Sequence, residues 1–215
     1  SVGQRVAYGV APPGAYAEAR VVPAARIVAL PDSIDDNTGA AMMLKGITAQ
    51  YLIRRLYKVE AGETVLIHAA AGGVGLIACQ WLKHLGATVI GTVGSDEKAE
   101  LAKAHGCDHP VVYTRDSFVD KVKEVTDGKG VPVVYDSVAA ATFEGSLDCL
   151  QPRGLMVSFG NASGPVPPFN LGMLAQKGSL FITRPTLMHY TLSREDLITV
   201  ANDLFEVVGG GHVKI

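Results

Sequence analysis

The sequence is poor in cysteine, with only three among its 215 residues. Cys79, Cys107 and Cys149 are spaced neither as a disulfide framework nor as a set of zinc ligands. Cys79 follows the helical spacing of its apolar neighbours, which indicates a buried thiol. Because an odd and scattered set of cysteines is typical of a reducing compartment, we expect a cytoplasmic protein.

The chain also lacks a strong charge of either sign and any long apolar run. Its 19 basic and 21 acidic residues leave a formal charge of −2, which gives no general attraction to nucleic acid or anionic lipid. No apolar run approaches the length of about 20 residues that a membrane span needs. We therefore expect neither a nucleic-acid partner nor a membrane span. The lysines that alternate with acids instead of forming a basic stripe are Lys103, Lys121, Lys123 and Lys129.

The motifs of hydrolytic enzymes are missing as well. The chain has no serine in a nucleophile elbow and no His-Glu-x-x-His run. Its histidines are scattered and form no zinc-ligand pattern: His68, His84, His105, His109, His189 and His212. His68 ends an apolar run beside a turn of small residues, where we expect it to pack or cap and not to catalyse. The sequence therefore identifies no catalytic residue, and we expect no metal site.

Glycine, in contrast, is abundant, and one glycine-rich turn is informative. An apolar strand at Thr64–Ile67 leads into Ala69-Ala-Ala-Gly72-Gly-Val-Gly75, which opens a helix. This spacing matches the dinucleotide fingerprint with alanine in place of its first glycine. Glycines at such a turn let the backbone approach a pyrophosphate, whose charge meets the free N–H groups of the new helix. The alternative is a tight strand-to-helix turn that binds no ligand.

Strands and helices alternate after residue 46, which predicts an α/β fold with a doubly wound parallel sheet of the Rossmann type. The apolar runs suit a sheet that is covered on both faces. The strands expected are 64–67, 88–92, 110–113, 132–136, 155–159 and 179–185. The helices expected between and after them are 74–85, 96–105, 117–126, 140–150, a short one after the proline-rich loop at 164–168, and 194–208.

The first 45 residues have a different pattern. Short apolar runs at 5–8, 15–22 and 26–30, separated by glycine and proline, predict strands of a small β-rich unit. Two helices are expected next, at 36–44 and 46–58. The chain begins without methionine inside an apparent turn and strand, and ends at Ile215 inside another apparent strand. We therefore expect it to be part of a longer protein.

The end of the second Rossmann strand bears on the choice of dinucleotide. NAD sites place a carboxylate there to bind the ribose hydroxyls, but Gly91-Thr-Val-Gly94-Ser95 contains no acid. A serine and a nearby lysine, Ser95 and Lys98, suit a 2′-phosphate, so we expect NADPH as the cofactor. Asp96 is the alternative ribose ligand, although it also fits the first turn of a helix capped by Ser95. Lys98 as a solvated helix charge is the other reading.

Several motifs together resemble the zinc-independent medium-chain dehydrogenases/reductases, and most closely the NADPH:quinone oxidoreductases related to ζ-crystallin. The motifs are 69–75, Gly91-Thr-Val-Gly94-Ser95 with Lys98, Val134-Tyr-Asp-Ser137, and Gly154-Leu-Met-Val-Ser-Phe-Gly160. The resemblance covers essentially the whole chain. It implies that residues 1–45 are a remnant of a GroES-like substrate domain and that residues 46–215 are an NADPH-binding Rossmann domain with an incomplete C-terminal end.

The resemblance also assigns residues to the cofactor. Residues of the glycine turn would bind the pyrophosphate, and the ends of strands and of one helix would face the nicotinamide. The cofactor-binding residues implied are Gly72, Gly73 and Val74 at the pyrophosphate, Ser95, Lys98 and Tyr113 toward the 2′-phosphate, Thr48, Tyr51, Phe159, Gly160 and Asn161 toward the nicotinamide, and also Gly94 and Ser137. From periodicity alone, Tyr51 is equally an ordinary half-buried helix residue.

The function implied is metal-free hydride transfer from NADPH to a quinone. Two alternatives stay open. One is an NADPH-dependent reductase of activated C=C bonds in enals or enones, and the other is a non-catalytic nucleotide-binding or crystallin-like protein. The resemblance further implies a homodimer joined through the edge strand Ser179–Pro185, unless that strand is internal to the sheet.

Overall fold

We describe the protein from a computed structural model, in which residues 1–9 and 13–215 are described. The strands are β1 (Val6–Ala7), β2 (Val28–Ala29), β3 (Thr64–Ile67), β4 (Thr88–Val93), β5 (His109–Val112), β6 (Val131–Asp136), β7 (Leu150–Ser158) and β8 (Phe181–Thr183). The helices are α1 (Asp36–Gln50), α2 (Gly73–His84), α3 (Asp96–Ala104), α4 (Phe118–Val125), α5 (Phe143–Asp148), α6 (Gly172–Gln176), α7 (Leu187–Tyr190) and α8 (Arg194–Gly209).

Six strands form one parallel sheet in the order β5-β4-β3-β6-β7-β8. This is the predicted doubly wound Rossmann order, in which the chain works outward from β3 in one direction and then from β6 in the other. The carboxyl ends of β3 and β6 lie side by side where the order reverses. Sheets of this kind bind ligands in the crevice at that point.

Apolar side chains on both faces of the sheet form the core. Along β3, Val65 and Ile67 pack into the cluster under α1, α2 and α8, whereas Leu66 packs into the cluster under α4 and α5. Successive side chains of a strand point to opposite faces, so a nearly continuous apolar run serves both clusters. None of the helices in the described ranges is long and apolar enough to cross a membrane.

The β-rich unit expected at the N-terminus is reduced to one short antiparallel pair, β1 with β2. The strand predicted at 15–22 is wrong, because that segment has no regular structure. Tyr16 and Val21 are almost fully exposed. An apolar run becomes a strand only where a neighbour supplies the other half of the hydrogen-bond ladder, and this segment pairs with no described strand.

The prediction of two helices at 36–44 and 46–58 is also wrong. Helix α1 runs without interruption through Gly46 to Gln50, and residues Tyr51–Leu56 continue it as a π-helix. A Cβ atom at Gly46 would lie 2.5 Å from Cδ2 of Leu204, so this glycine permits close packing against α8 and does not break α1. The domain boundary predicted at residue 45 falls inside this helix and stays a prediction.

Smaller differences concern the second half of the chain. The segment predicted as one helix at 140–150 contains α5 only at 143–148, and β7 already begins at Leu150. The short helix α7 was not predicted. The strand expected at the C-terminus is wrong, because the backbone of Lys214 bonds to the side chain of Gln80 on α2 and not to a strand.

Candidate dinucleotide-binding site

The glycine-rich turn joins the carboxyl end of β3 to α2. Ala69 has φ 55°, in the left-handed region that favours glycine, and it occupies the place of the first glycine of the fingerprint. A Cβ atom at Gly75 would lie 2.3 Å from the carbonyl oxygen of Ala69 and 2.6 Å from that of Ala70. Only glycine at residue 75 therefore lets the first turn of α2 pack this closely against the end of β3.

Gly72 is the N-cap residue of α2 and has no side chain to accept a hydrogen bond from the first turn. Gly72 and Gly73 are exposed, and Val74 is half-buried. The backbone N–H groups at the start of α2 consequently face solvent at the crevice, where the positive end of the helix dipole favours an anion. An exposed helix start of this kind is able to bind an anion, and the assignment of these residues to a pyrophosphate stays a prediction.

A series of buried side chains, linked by hydrogen bonds, supports this turn. His68, at the end of β3 and 1 % exposed, lies with Nδ1 2.9 Å from Thr92 Oγ1 and Nε2 2.9 Å from Ser146 Oγ. Thr92 Oγ1 accepts a 3.4 Å hydrogen bond from the backbone N–H of Ala69. Strand β4 and helix α5 are therefore both tied to the residue before the turn, and His68 packs as expected.

Asp136, at the end of β6, completes this series. Its carboxylate accepts hydrogen bonds from Ser146 Oγ at 3.1 Å and Thr142 Oγ1 at 2.7 Å, and from the backbone N–H groups of Val138 and Ala139. Because Ser146 gives its only hydroxyl proton to Asp136, its oxygen accepts from Nε2–H of His68. Nδ1 of His68 then accepts from the hydroxyl of Thr92, so the ring is neutral with its proton on Nε2.

Burial lowers the pKa of His68 to about 4, against a smaller opposing effect of the Asp136 carboxylate. A neutral ring fits the hydrogen-bond pattern, because each ring nitrogen has one hydroxyl partner and the two roles differ. The histidine at the edge of the crevice is a structural link and not a proton donor near neutral pH.

Four of the predicted cofactor-binding residues meet in one cleft of about 320 Å³, which Ser95 does not line. Gly72, Gly94, Lys98 and Tyr113 line it, together with Ala162 and Ser163 from the loop after β7. A Cβ atom at Gly94 would lie 3.3 Å from the hydroxyl oxygen of Tyr113. The cleft thus runs from the turn before α2 to the end of β4.

Ser95 is the N-cap residue of α3, and its hydroxyl accepts a 3.3 Å hydrogen bond from the backbone N–H of Lys98. Asp96, the alternative ribose ligand, accepts two hydrogen bonds from Arg115, at 3.1 and 3.2 Å. This two-point ion pair occupies the carboxylate. Sequence reasoning missed Arg115, although its place just beyond β5, the neighbour of β4, could have indicated it.

The residues predicted toward the nicotinamide do not all line one cleft. Tyr51 is 2 % exposed, and its ring stacks on that of Tyr190 with centroids 4.4 Å apart. Burial raises the pKa of Tyr51 to about 12. Phe159 packs against the apolar cluster that contains Tyr51. The hydroxyl of Thr48 donates to the carbonyl of Leu44 in its own helix. Thr48 lines neither the cleft at Lys98 and Tyr113 nor a second cleft at Asn161.

The ends of β6 and β7 touch at Ser137 and Gly160, since a Cβ atom at Gly160 would lie 2.4 Å from the carbonyl oxygen of Ser137. Asn161 lines a second cleft of about 410 Å³ with Arg184 and the apolar side chains of the following loop. Nη1 of Arg184 donates to the carbonyl of Ser158 at 2.8 Å. Arg184 and Tyr190 were not predicted, because they come from distant parts of the chain.

Zinc ligands are a separate question. Within residues 1–9 and 13–215, no group of three or more histidine, cysteine, aspartate or glutamate side chains lies close enough together to hold a metal ion.

Comparison with known proteins places these features in context. Residues 73–205 match the model of the family described as zinc-binding dehydrogenase. A quinone oxidoreductase of Pseudomonas aeruginosa is 55 % identical over 214 residues, which cover 100 % of this chain and 66 % of that protein. A 2-haloacrylate reductase of a Burkholderia species is 48 % identical over 98 % of this chain and 64 % of its own length.

A solved structure is similar to this chain over almost its whole length. The crystal structure of Escherichia coli quinone oxidoreductase complexed with NADPH superposes with a TM-score of 0.96 at 50 % identity, covering 99 % of this chain and 65 % of that one. The chain thus spans just under two thirds of the length of the curated relatives it matches.

The buried, neutral His68 predicts a pH dependence of stability. Below pH 6.5 the unfolded chain binds a proton at His68, whereas the folded chain does not bind this proton until the pH approaches 4. The contribution of this group to the free energy of unfolding is therefore fully present above pH 6.5. It falls by about 1.4 kcal/mol per pH unit as the pH drops from 6.5 toward 4. Denaturant unfolding at several pH values should show a shallower loss for His68→Gln than for the original protein. The exposed His189→Gln is the control, and an unchanged slope in His68→Gln would contradict the assignment.

Proposed function

The chain belongs to the zinc-binding dehydrogenase family, and we propose that it is the cofactor-binding part of an enzyme, an NADPH-dependent quinone oxidoreductase. The observation that carries the proposal is the cleft in which Lys98, Tyr113 and Gly94 meet the glycine turn. Relatives named quinone oxidoreductase at 50–55 % identity support it. The NADPH complex of the Escherichia coli protein supports the choice of cofactor.

The charges around the cleft favour NADPH over NADH. Lys98 lines the cleft and forms no ion pair with any described residue, so its ammonium is available to a 2′-phosphate. Asp96, the alternative ribose ligand, forms an exposed ion pair with Arg115, which also pairs with Asp116. A ribose diol would compete with arginine for the Asp96 carboxylate.

The residues of this chain would bind and orient the cofactor. NADPH, when bound, supplies a hydride to an electron-poor acceptor such as a quinone. The protein positions the cofactor and the acceptor relative to each other. The Ser137–Gly160 contact and Phe159 shape the nicotinamide end, and Asn161 and Arg184 border the cleft beside it. The described residues offer no zinc-ligand set despite the family's description.

The cofactor assignment predicts the behaviour of Lys98→Ala. Loss of the ammonium removes a charge-assisted contact with the 2′-phosphate, and we expect NADPH affinity to fall about 10- to 100-fold. NADH has no such phosphate, so its affinity should be unchanged. A fluorescence titration of the chain with both dinucleotides measures the two constants, and Lys103→Ala, an exposed lysine at the far end of α3, is the matched control. Equal binding of NADH and NADPH by the original chain would move the ribose contact to Asp96.

The second candidate is reduction of an activated C=C bond, which the 48 % identity to a 2-haloacrylate reductase favours. Oxidation of NADPH by this chain, followed with a benzoquinone and with 2-chloroacrylate in parallel, separates the two. Turnover of the quinone alone is expected. Turnover of the haloacrylate alone would select the second candidate. Tight binding of NADPH with neither substrate reduced would favour a non-catalytic nucleotide-binding role for this chain.

We also propose a homodimer joined at β8. This strand is the edge of the sheet, beyond β7, and Phe181 on it is 60 % exposed. Bare apolar edges are normally paired or covered. Light scattering after size exclusion should give a dimer for the original chain and a monomer for Phe181→Lys. Leu101→Lys, on α3 at the other side of the sheet, should stay dimeric, and a monomeric original chain at micromolar concentration would refute the proposal.

A cytoplasmic location belongs to the same proposal. All three cysteines are buried free thiols, as a reducing compartment allows.

A further inference from the structure

Lys45, a residue of α1 to which the sequence assigned no role, lies across the start of α2. A Cβ atom at Gly73 would be 2.7 Å from Cδ of Lys45, 2.8 Å from Cε and 3.0 Å from Nζ. The lysine stem therefore occupies the space that any side chain at residue 73 would need. Its ammonium lies beside the first turn of α2.

This position places two positive features together. The ammonium of Lys45 sits at the helix end where the dipole and the free backbone N–H groups are also positive. None of the ion pairs or hydrogen bonds among the described residues involves Nζ of Lys45. The sequence from Met42 to Thr48 contains no acid that could compensate the charge. Lys45 is exposed, so solvent screens part of the repulsion between these positive features, and an anion bound between them would remove it.

We propose that Lys45 is the cation that binds the cofactor's pyrophosphate, opposite the backbone N–H groups of Gly73 and Val74. The inference rests on the proposed function, which supplies the anion. It divides the anionic groups of the cofactor between two lysines, with Lys98 at the 2′-phosphate and Lys45 at the pyrophosphate. The two contacts make different demands on the ligand, because NADPH and NADH share the pyrophosphate and only NADPH has the 2′-phosphate.

Three ligands distinguish the two lysines: NADPH, NADH and adenosine 2′-monophosphate, which lacks the pyrophosphate. Lys45→Met removes the charge and keeps a flexible stem of similar length. It should weaken NADPH and NADH by the same factor, about 10- to 100-fold, and leave adenosine 2′-monophosphate unaffected. Lys98→Ala should weaken NADPH and adenosine 2′-monophosphate and spare NADH. Lys45→Arg should retain most of the affinity for both dinucleotides, and Lys103→Ala should bind all three ligands like the original chain.

Stability without ligand provides the second readout. If Lys45 has no structural partner, Lys45→Met should unfold at an unchanged or slightly higher temperature, because it removes repulsion at the start of α2. Undiminished binding of both dinucleotides by Lys45→Met would overturn the proposal, as would a loss confined to NADPH. Failure of the original chain to bind either dinucleotide would overturn the proposed function as well, so the two failures are distinguishable.

Discussion

The candidate site depends on one close contact, that of Gly75 with the carbonyl groups of Ala69 and Ala70. The contact fixes where α2 begins relative to the end of β3, and so fixes where its free N–H groups point. Alanine at residue 69, held at φ 55°, adopts a conformation that costs an L-residue about 1 kcal/mol, so the rest of the turn must stabilise it. Backbone strain persists only where the surrounding structure enforces it.

The buried chain from Asp136 through Ser146 and His68 to Thr92 provides that enforcement. It connects the ends of β6, β3 and β4 and reaches the backbone N–H of Ala69 itself. Each buried polar group in it has a partner, which is the condition under which such a network stabilises a structure. The strands that border the crevice are thus held by side chains as well as by the sheet ladder.

Sequence reasoning located the sheet and the turn well, for a physical reason. Apolar runs of strand length, ended by glycine, leave few alternatives, and β3 was predicted at its observed bounds. It failed where a distant neighbour decides the outcome. The sequence predicts two helices that meet near residue 45, but the close approach of Leu204 to Gly46 belongs to one continuous helix. The sequence also predicts a strand at residues 15–22, but no described neighbour pairs with them.

The same limit applied to the site residues. Glycines, Ser95 and Lys98 belong to local motifs, and a local motif can be recognised from spacing. Arg115 and Tyr190 act through contacts with Asp96 and Tyr51 that only the fold creates.

The arrangement of charge gives the site its character in a protein whose net charge is only −2. Among the cations near the crevice, Arg115 pairs with Asp96 and Asp116, whereas Lys45 and Lys98 have no carboxylate partner in the described ranges. An unpaired lysine on a helix surface is ordinary by itself, because solvent screens it. Lys45 differs because the glycine beside it and the helix dipole below it concentrate positive potential at one point. A ligand with separated anionic groups would relieve both unpaired charges at once, which a single phosphate could not do.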